Sequence, residues 1–202
     1  MARTIRMGVL CLCILVLQSC MTSSVLRTAR VLEKDQFEIS GGLAQSALGH
    51  VSQVLIAAYG ISNRFEIGGR LEDGYIALIP RLQLLKSNHH WIDCLAFFEI
   101  GYGDGVGLLG GPGIMFGKRF GDFSPYIAYK YIHFEKNHYF RSSFRNAHFI
   151  KLGARYYFPS HKDKEQSTPS KSAWFIGVEC GPTMYPHHGA IFEGATNVGC
   201  NF

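Results

Sequence analysis

Apolar and polar side chains alternate with a period of two along most of the chain from residue 36 onward. This alternation predicts antiparallel β-strands whose two faces differ in polarity. Short runs rich in Gly, Asn and Asp interrupt it, among them SNR, EDG and FGD, and such runs are typical of tight turns. The pattern predicts ten strands, at residues 36–45, 51–61, 64–72, 75–86, 91–102, 106–118, 123–134, 147–158, 173–184 and 190–202.

Two β architectures produce strands with one apolar and one polar face. In a soluble lipocalin-like barrel or sandwich the apolar face points inward, whereas in a transmembrane barrel it meets lipid and the polar face lines the lumen. The polar face here is rich in Gly, Ala and Ser and carries few charges, of both signs, which favours the membrane. Aromatic residues also cluster near strand ends on the apolar side, as the interfacial girdles of a membrane barrel require. They are Tyr102, Tyr156, Phe158, Trp174, Phe192 and Phe202.

The end of the chain, TNVGCNF, continues the alternation up to Phe202. A C-terminal Phe that closes an alternating strand resembles the terminal signature of bacterial outer-membrane proteins, which the barrel assembly machinery reads. The segment AAYGISNRFEIGGRL, residues 57–71, also looks like a hairpin common in such barrels. Over about residues 36–202 the chain therefore resembles small bacterial outer-membrane β-barrel proteins. The resemblance implies an all-β, antiparallel up-and-down transmembrane β-barrel in a Gram-negative-type outer membrane.

The number of strands must be even if both ends of the barrel domain lie in the periplasm, and ten strands satisfy this condition. The connection at residues 160–171 would then be a long periplasmic loop, which fits poorly. Eight strands is therefore the runner-up.

The first residues have the pattern of an export signal. Arg3 and Arg6 precede an apolar run at residues 8–17, which is too short to span a bilayer but is typical of a signal-peptide core. The last four residues of LVLQSC, 17–20, resemble the lipobox of bacterial lipoproteins, which implies a signal peptide at residues 1–19 and a diacylglycerol-modified Cys20. An ordinary cleaved signal is the alternative. Residues 20–35 have no sustained period and are interpreted as a periplasmic tether in front of the barrel domain, residues 36–202.

Removal of the signal peptide leaves Cys20, Cys94, Cys180 and Cys200. In a tight hairpin Cys180 would lie opposite about residue 194 rather than opposite Cys200, so no disulfide framework is predicted. No Cys or His spacing typical of zinc is present, and we expect no metal or cofactor.

The lumen face of the predicted strands carries six acids and five bases. They are Glu38, Glu66, Arg70, Arg81, Asp93, Glu99, Lys130, Lys151, Arg155, Glu179 and Glu193. Because an Arg or Lys facing lipid at the midplane costs about 2–4 kcal/mol, these charges are expected to point inward and to neutralise one another. The lumen is then either a self-satisfied core that stabilises the barrel or a small polar pore, and the balance of sign implies no ion selectivity.

Three functions remain open: a structural or surface-interaction barrel, a small passive channel, and a lipid-modifying membrane enzyme. The third would need Ser/His or Asp/His groups near the outer rim. The predicted outer loops and their flanks supply His138, Ser142, Ser143, His148, His187 and His188, without a family motif around them. Expected partners are outer-membrane lipid, the barrel assembly machinery and lipoprotein-processing enzymes. The net charge of +5 falls to about +3 without Arg3 and Arg6, which does not indicate a nucleic-acid partner.

Overall fold

Ten antiparallel strands follow one another along the chain and close into a barrel. The computed structural model describes residues 25–45, 51–72, 74–87, 90–103, 107–135, 145–158, 173–186 and 189–202. The strands are β1 (Phe37–Gln45), β2 (Val51–Ser62), β3 (Phe65–Glu72), β4 (Tyr75–Leu85), β5 (Asp93–Gly103), β6 (Gly107–Gly117), β7 (Phe123–Phe134), β8 (Asn146–Phe158), β9 (Ala173–Tyr185) and β10 (Gly189–Asn201). Within the described residues, no helix is long and apolar enough to cross a membrane.

Each strand pairs with its neighbours in sequence, and β1 pairs with β10 to close the sheet. At this seam Ile39 lies opposite Cys200 and Leu43 lies opposite Thr196. At the lower end of this seam, Phe37, the first residue of β1, and Phe202, which follows β10, exchange two backbone hydrogen bonds of 3.1 and 2.7 Å. The predicted all-β antiparallel up-and-down barrel is confirmed, with ten strands rather than eight.

Turns with a positive φ connect several strands, and glycine occupies those positions. Gly74, between β3 and β4, has φ 70°, and Gly121, between β6 and β7, has φ 60°. A residue with a side chain is strained at such a φ angle, whereas glycine is not. The glycines of the EDG and FGD runs therefore permit the tight turn between one strand and the next.

The outer surface of the barrel is apolar. Every strand exposes at least one large aliphatic side chain near or beyond two fifths of its area, for example Leu43, Leu55, Leu71, Leu78, Ile100, Leu108, Ile127, Leu152, Val178 and Val198. The charged residues of the same strands are buried inside. This is the reverse of a soluble barrel, so the lipocalin-like alternative is wrong.

The described cysteines are Cys94, Cys180 and Cys200, and all three are free. Cys180 lies opposite Gly194 in the β9–β10 pair, as the hairpin geometry predicts. Cys94 and Cys200 are nevertheless buried, although their register places them on the outward side.

Candidate functional site in the barrel lumen

The lumen has two ends that differ in what fills them. We call the lower end the one at which β1 begins and β10 ends, and the upper end the opposite one. Residues 25–32, which we call the N-terminal plug, enter the lower half of the lumen. Six of these residues are buried, namely Leu26, Arg27, Thr28, Ala29, Val31 and Leu32.

The N-terminal plug corrects the described part of the expected periplasmic tether at residues 20–35, since residues 25–32 lie in the barrel. Of the described part of that segment, only residues 33–35 are well exposed. Here the chain reverses and enters β1: Asp35 has φ 63°, its backbone N–H donates to the carbonyl of Gly60 at 2.8 Å, and its carboxylate accepts from the Tyr59 hydroxyl at 2.9 Å. The sequence did not predict the burial of residues 25–32, because a segment without helix or strand period carries no local sign of being buried.

Lumen side chains bind the backbone of the N-terminal plug, which has no regular secondary structure. Gln83 donates to the carbonyl of Ala29 at 3.0 Å and accepts from the N–H of Val31 at 2.8 Å. The guanidinium of Arg81 donates to the carbonyl of Thr28. Since buried backbone groups must be paired, these side chains replace the hydrogen bonds that a helix or strand would supply.

A lower charge cluster surrounds Arg27 of the plug. Its guanidinium lies 3.2 Å from the carboxylate of Glu38 and 2.9 Å from that of Glu66. Glu66 also accepts from Arg81 at 2.7 Å, and Glu38 accepts from Arg155 at 2.7 Å. Two acids therefore lie among three guanidiniums, one of which comes from the N-terminal plug.

An upper charge cluster is centred on Glu99. One carboxylate oxygen accepts from Arg70 at 2.9 Å and from the Tyr75 hydroxyl at 2.7 Å, and the other accepts from Lys130 at 2.8 Å. Glu72 lies 3.6 Å from Arg70. This cluster holds two acids and two bases, so its charges balance.

A third ion pair joins β8 to β10. The Lys151 ammonium lies 2.9 Å from the carboxylate of Glu193, which also accepts from the Thr183 hydroxyl at 2.7 Å. Asp93 is different: although buried, it accepts from the backbone and the hydroxyl of Ser87, at 2.6 and 2.9 Å, and so caps the connection after β4.

The upper part of the lumen contains an apolar cluster. Its buried members come from β4, β6, β7 and β8 and are Tyr75, Ala77, Leu109, Ile132, Phe134, Ala147 and Phe149. Between the plug and the upper charge cluster lies a cavity of about 20 Å³, lined in part by Val25, Arg27 and Glu99. This space holds about one water molecule. Among the described residues, the plug, the charge clusters and the upper apolar cluster thus follow one another along the interior.

All eleven predicted lumen residues are buried in the barrel. The sequence reasoning missed Arg27 and Glu72. Glu72 follows the lumen register of Glu66 and Arg70, so the alternation could have found it. Arg27 lies outside every strand and carried no such signal.

The predicted lipid attachment at Cys20 lies outside the described residues, as do the possible catalytic side chains His138, Ser142, Ser143, His187 and His188. His148 is described, and its ring nitrogen lies 2.8 Å from the Tyr129 hydroxyl. In the part of the chain that the structure describes, no three His, Cys, Asp or Glu side chains form a candidate metal site.

Comparisons with known proteins give structural likenesses at low identity. No protein-family model and no curated protein sequence matches the chain. The N-terminal β-barrel domain of Pseudomonas aeruginosa OprF is similar, at 13% identity and TM-score 0.42, over 85% of this chain and 100% of that one. The NanC porin is similar at 11% identity and TM-score 0.43, over 82% and 98%. Neisserial surface protein A is similar at 12% identity and TM-score 0.29, over 82% and 93%.

Proposed function

We propose that the chain is an integral outer-membrane β-barrel protein with a structural or surface-interaction role, and that its charge-paired lumen is closed to solutes. The observation that carries the proposal is the series of buried groups along the described interior. The N-terminal plug occupies the lower half, ion pairs occupy the middle, and the upper apolar cluster occupies the upper half.

The apolar outer surface supports the membrane location. Monomeric soluble proteins rarely expose contiguous apolar patches larger than a few hundred Å². Here the exposed aliphatic side chains come from all ten strands, and the buried charges face the lumen. Aromatic side chains at the strand ends, such as Tyr102, Trp174 and Phe192, are also exposed and fit interfacial girdles.

The passive channel is the second candidate, and conductance separates it from the closed barrel. In planar bilayers we expect the intact protein to give no steady single-channel conductance. Replacement of residues 25–32 by a Gly/Ser segment of equal length should open the lower lumen and raise the leak. The same replacement at residues 161–168 is the matched control and should leave the bilayer tight. Migration of unheated samples on SDS gels shows that each variant still forms a barrel. Steady conductance through the intact protein would contradict a closed lumen.

The lipid-modifying enzyme stays a prediction from sequence. Its test is a lipid A mass profile of cells that express the protein with His187→Ala and His188→Ala. The proposed structural role requires the same profile from native and substituted proteins, and a change that depends on either histidine would favour the enzyme.

Export by the N-terminal signal and recognition of the last strand by the barrel assembly machinery complete the proposal. Phe202 is exposed and its backbone pairs with Phe37 at the seam, which supports a role for this residue in barrel closure. Attachment of lipid to Cys20 stays a prediction from sequence.

A further inference from the structure

Glu179, on β9, is an acid in the lumen that forms no ion pair with a side chain in the part of the chain that the structure describes. Its side chain is buried, and among the described residues no Lys, Arg or His nitrogen lies within 4.0 Å of its carboxylate. Its oxygens instead accept from the backbone nitrogens of Val25 and Leu26, at 2.8 and 2.9 Å, and from the Tyr126 hydroxyl at 2.8 Å. Burial of a carboxylate away from water is costly unless a positive charge or several hydrogen bonds compensate. The cations Arg70 and Lys130 act on Glu179 only from beyond ion-pair distance. A cation at the Val25 nitrogen would instead place a positive charge in direct contact with the carboxylate, at 2.8 Å.

We propose that the mature chain begins at Val25 and that its α-ammonium group forms a buried ion pair with Glu179. Water hydrolyses the Ser24–Val25 peptide bond under a signal peptidase: the carbonyl of Ser24 gains the hydroxyl, and the nitrogen of Val25 gains the proton and is an ammonium when protonated. Small residues, Thr22 and Ser24, stand third and first before this bond, as signal cleavage requires. The inference rests on export by the N-terminal signal, which is part of the proposed function.

The depth of Val25 in the lumen opposes a lipid anchor at Cys20. Glu179 is the central residue of the 13-residue strand β9. Six residues of β9 lie between Glu179 and either end of the strand. With a rise of about 3.3 Å per residue and a strand tilt of about 40°, they span about 15 Å along the barrel axis. A chain that leaves the lumen for the lipid must also pass over a sheet about 10 Å thick.

The path from Val25 to the lipid is therefore about 25 Å. Cys20 lies five positions before Val25 (25 minus 20), and these five Cα–Cα steps span at most about 17 Å when the chain is fully extended. A lipid on Cys20 and Val25 at Glu179 thus exclude each other. Cleavage after Ser24 keeps the N-terminal plug in place and removes Cys20 with the signal.

N-terminal sequencing and intact mass of the folded barrel, purified from envelopes of cells that express the full precursor, test the inference. We expect a start at VLRTAR and the mass of residues 25–202 without lipid. A chain that begins at an acylated Cys20, or at any other residue, overturns it. A precursor that stays in the cytoplasm with its signal intact overturns the proposed export as well, so the two failures are distinguishable.

Two variants give opposite results under the two processing routes. Ser24→Leu places a bulky residue directly before the proposed bond and should abolish the Val25 start, whereas Cys20→Ala should leave that start unchanged. Lipoprotein processing predicts the reverse: Cys20→Ala blocks maturation and Ser24→Leu has no effect. That reverse result overturns the inference.

Labelling of the α-amine tests the ion pair itself. An amine-reactive ester should modify the Val25 nitrogen at least tenfold more slowly in the folded barrel than after denaturation. Glu179→Gln should remove most of this protection, while Glu135→Gln, an exposed acid, should not. Equal labelling of folded and denatured protein, or protection unchanged by Glu179→Gln, overturns the ion pair.

Discussion

Replacement of Glu66 by Gln should destabilise the barrel by about 3–5 kcal/mol, the usual cost of breaking a buried ion pair from one side. The carboxylate of Glu66 accepts from Arg81 at 2.7 Å, from Arg27 at 2.9 Å and from the backbone of Leu32 at 2.6 Å. At an effective dielectric constant of about 20, each unit-charge pair is worth about 4 kcal/mol before desolvation. A neutral amide at this position leaves two buried guanidiniums without their shared anion. The native ions lose hydration when they are buried, at a cost of several kcal/mol each, and this cost offsets part of the two Coulomb energies. The net loss expected for Glu66→Gln is therefore about 3–5 kcal/mol.

Urea-induced unfolding in lipid vesicles measures this change, with the fluorescence of Trp91 and Trp174 as the signal, since both side chains are exposed on the barrel. The matched control is Glu135→Gln, an exposed acid on the upper rim, which should change the free energy of unfolding by less than about 1 kcal/mol. The double variant Glu66→Gln/Arg81→Met should cost less than the sum of its single changes, because it removes one of the stranded cations. Equal free energies of unfolding for Glu66→Gln and Glu135→Gln would refute the reasoning that the lower charge cluster holds the barrel together.

The membrane location and the packing of the lumen give two further predictions. Leu152→Arg, at the centre of β8 on the outer surface, should lower the free energy of unfolding in vesicles by about 2–4 kcal/mol. Phe158→Arg, at the end of the same strand, should lower it by only about 0–1 kcal/mol, because the cost of a lipid-facing charge depends on its depth in the membrane. Equal urea midpoints for the two variants would contradict a membrane-embedded β8. Gly113→Ala should cost about 1–3 kcal/mol in the same titration, because the new Cβ would lie 2.1 Å from the ring of Phe97, whereas Gly41→Ala meets no atom within 4 Å and should change stability by far less. An unchanged midpoint for Gly113→Ala would show that the Phe97 ring can move away without loss.

The fold was predictable because its signals are local. A strand shows its period within five or six residues, and a turn shows its Gly, Asn or Asp at the reversal itself. The predicted strand of residues 51–61 and the observed β2, Val51–Ser62, differ by one residue at one end. The same period predicted that Arg70 and Lys130 would lie in the lumen, and it would have added Glu72.

The partners of each lumen charge were not predictable, because the period shows which way a side chain points but not its height in the barrel. Glu99 meets Arg70 and Lys130, 29 and 31 residues away along the chain. Asp93 has the correct parity for the lumen, yet it lies at the end of β5 and accepts hydrogen bonds from Ser87. The register and the stagger between strands decide which charged side chains lie at the same height in the barrel.

The sequence by itself determined the ten strands, their two faces and the charged character of the interior, since each depends on residues close together in the chain. Only the tertiary structure decided what fills that interior. The N-terminal plug has no period, and its backbone is held by groups distant in sequence: Leu26 binds Glu179 and Arg155, and Val31 binds Gln83. A segment whose backbone is bound mainly by distant parts of the chain looks like a tether until the closed barrel surrounds it. Arg27 and Val25 therefore acquired their roles only when the barrel placed Glu38, Glu66 and Glu179 around them.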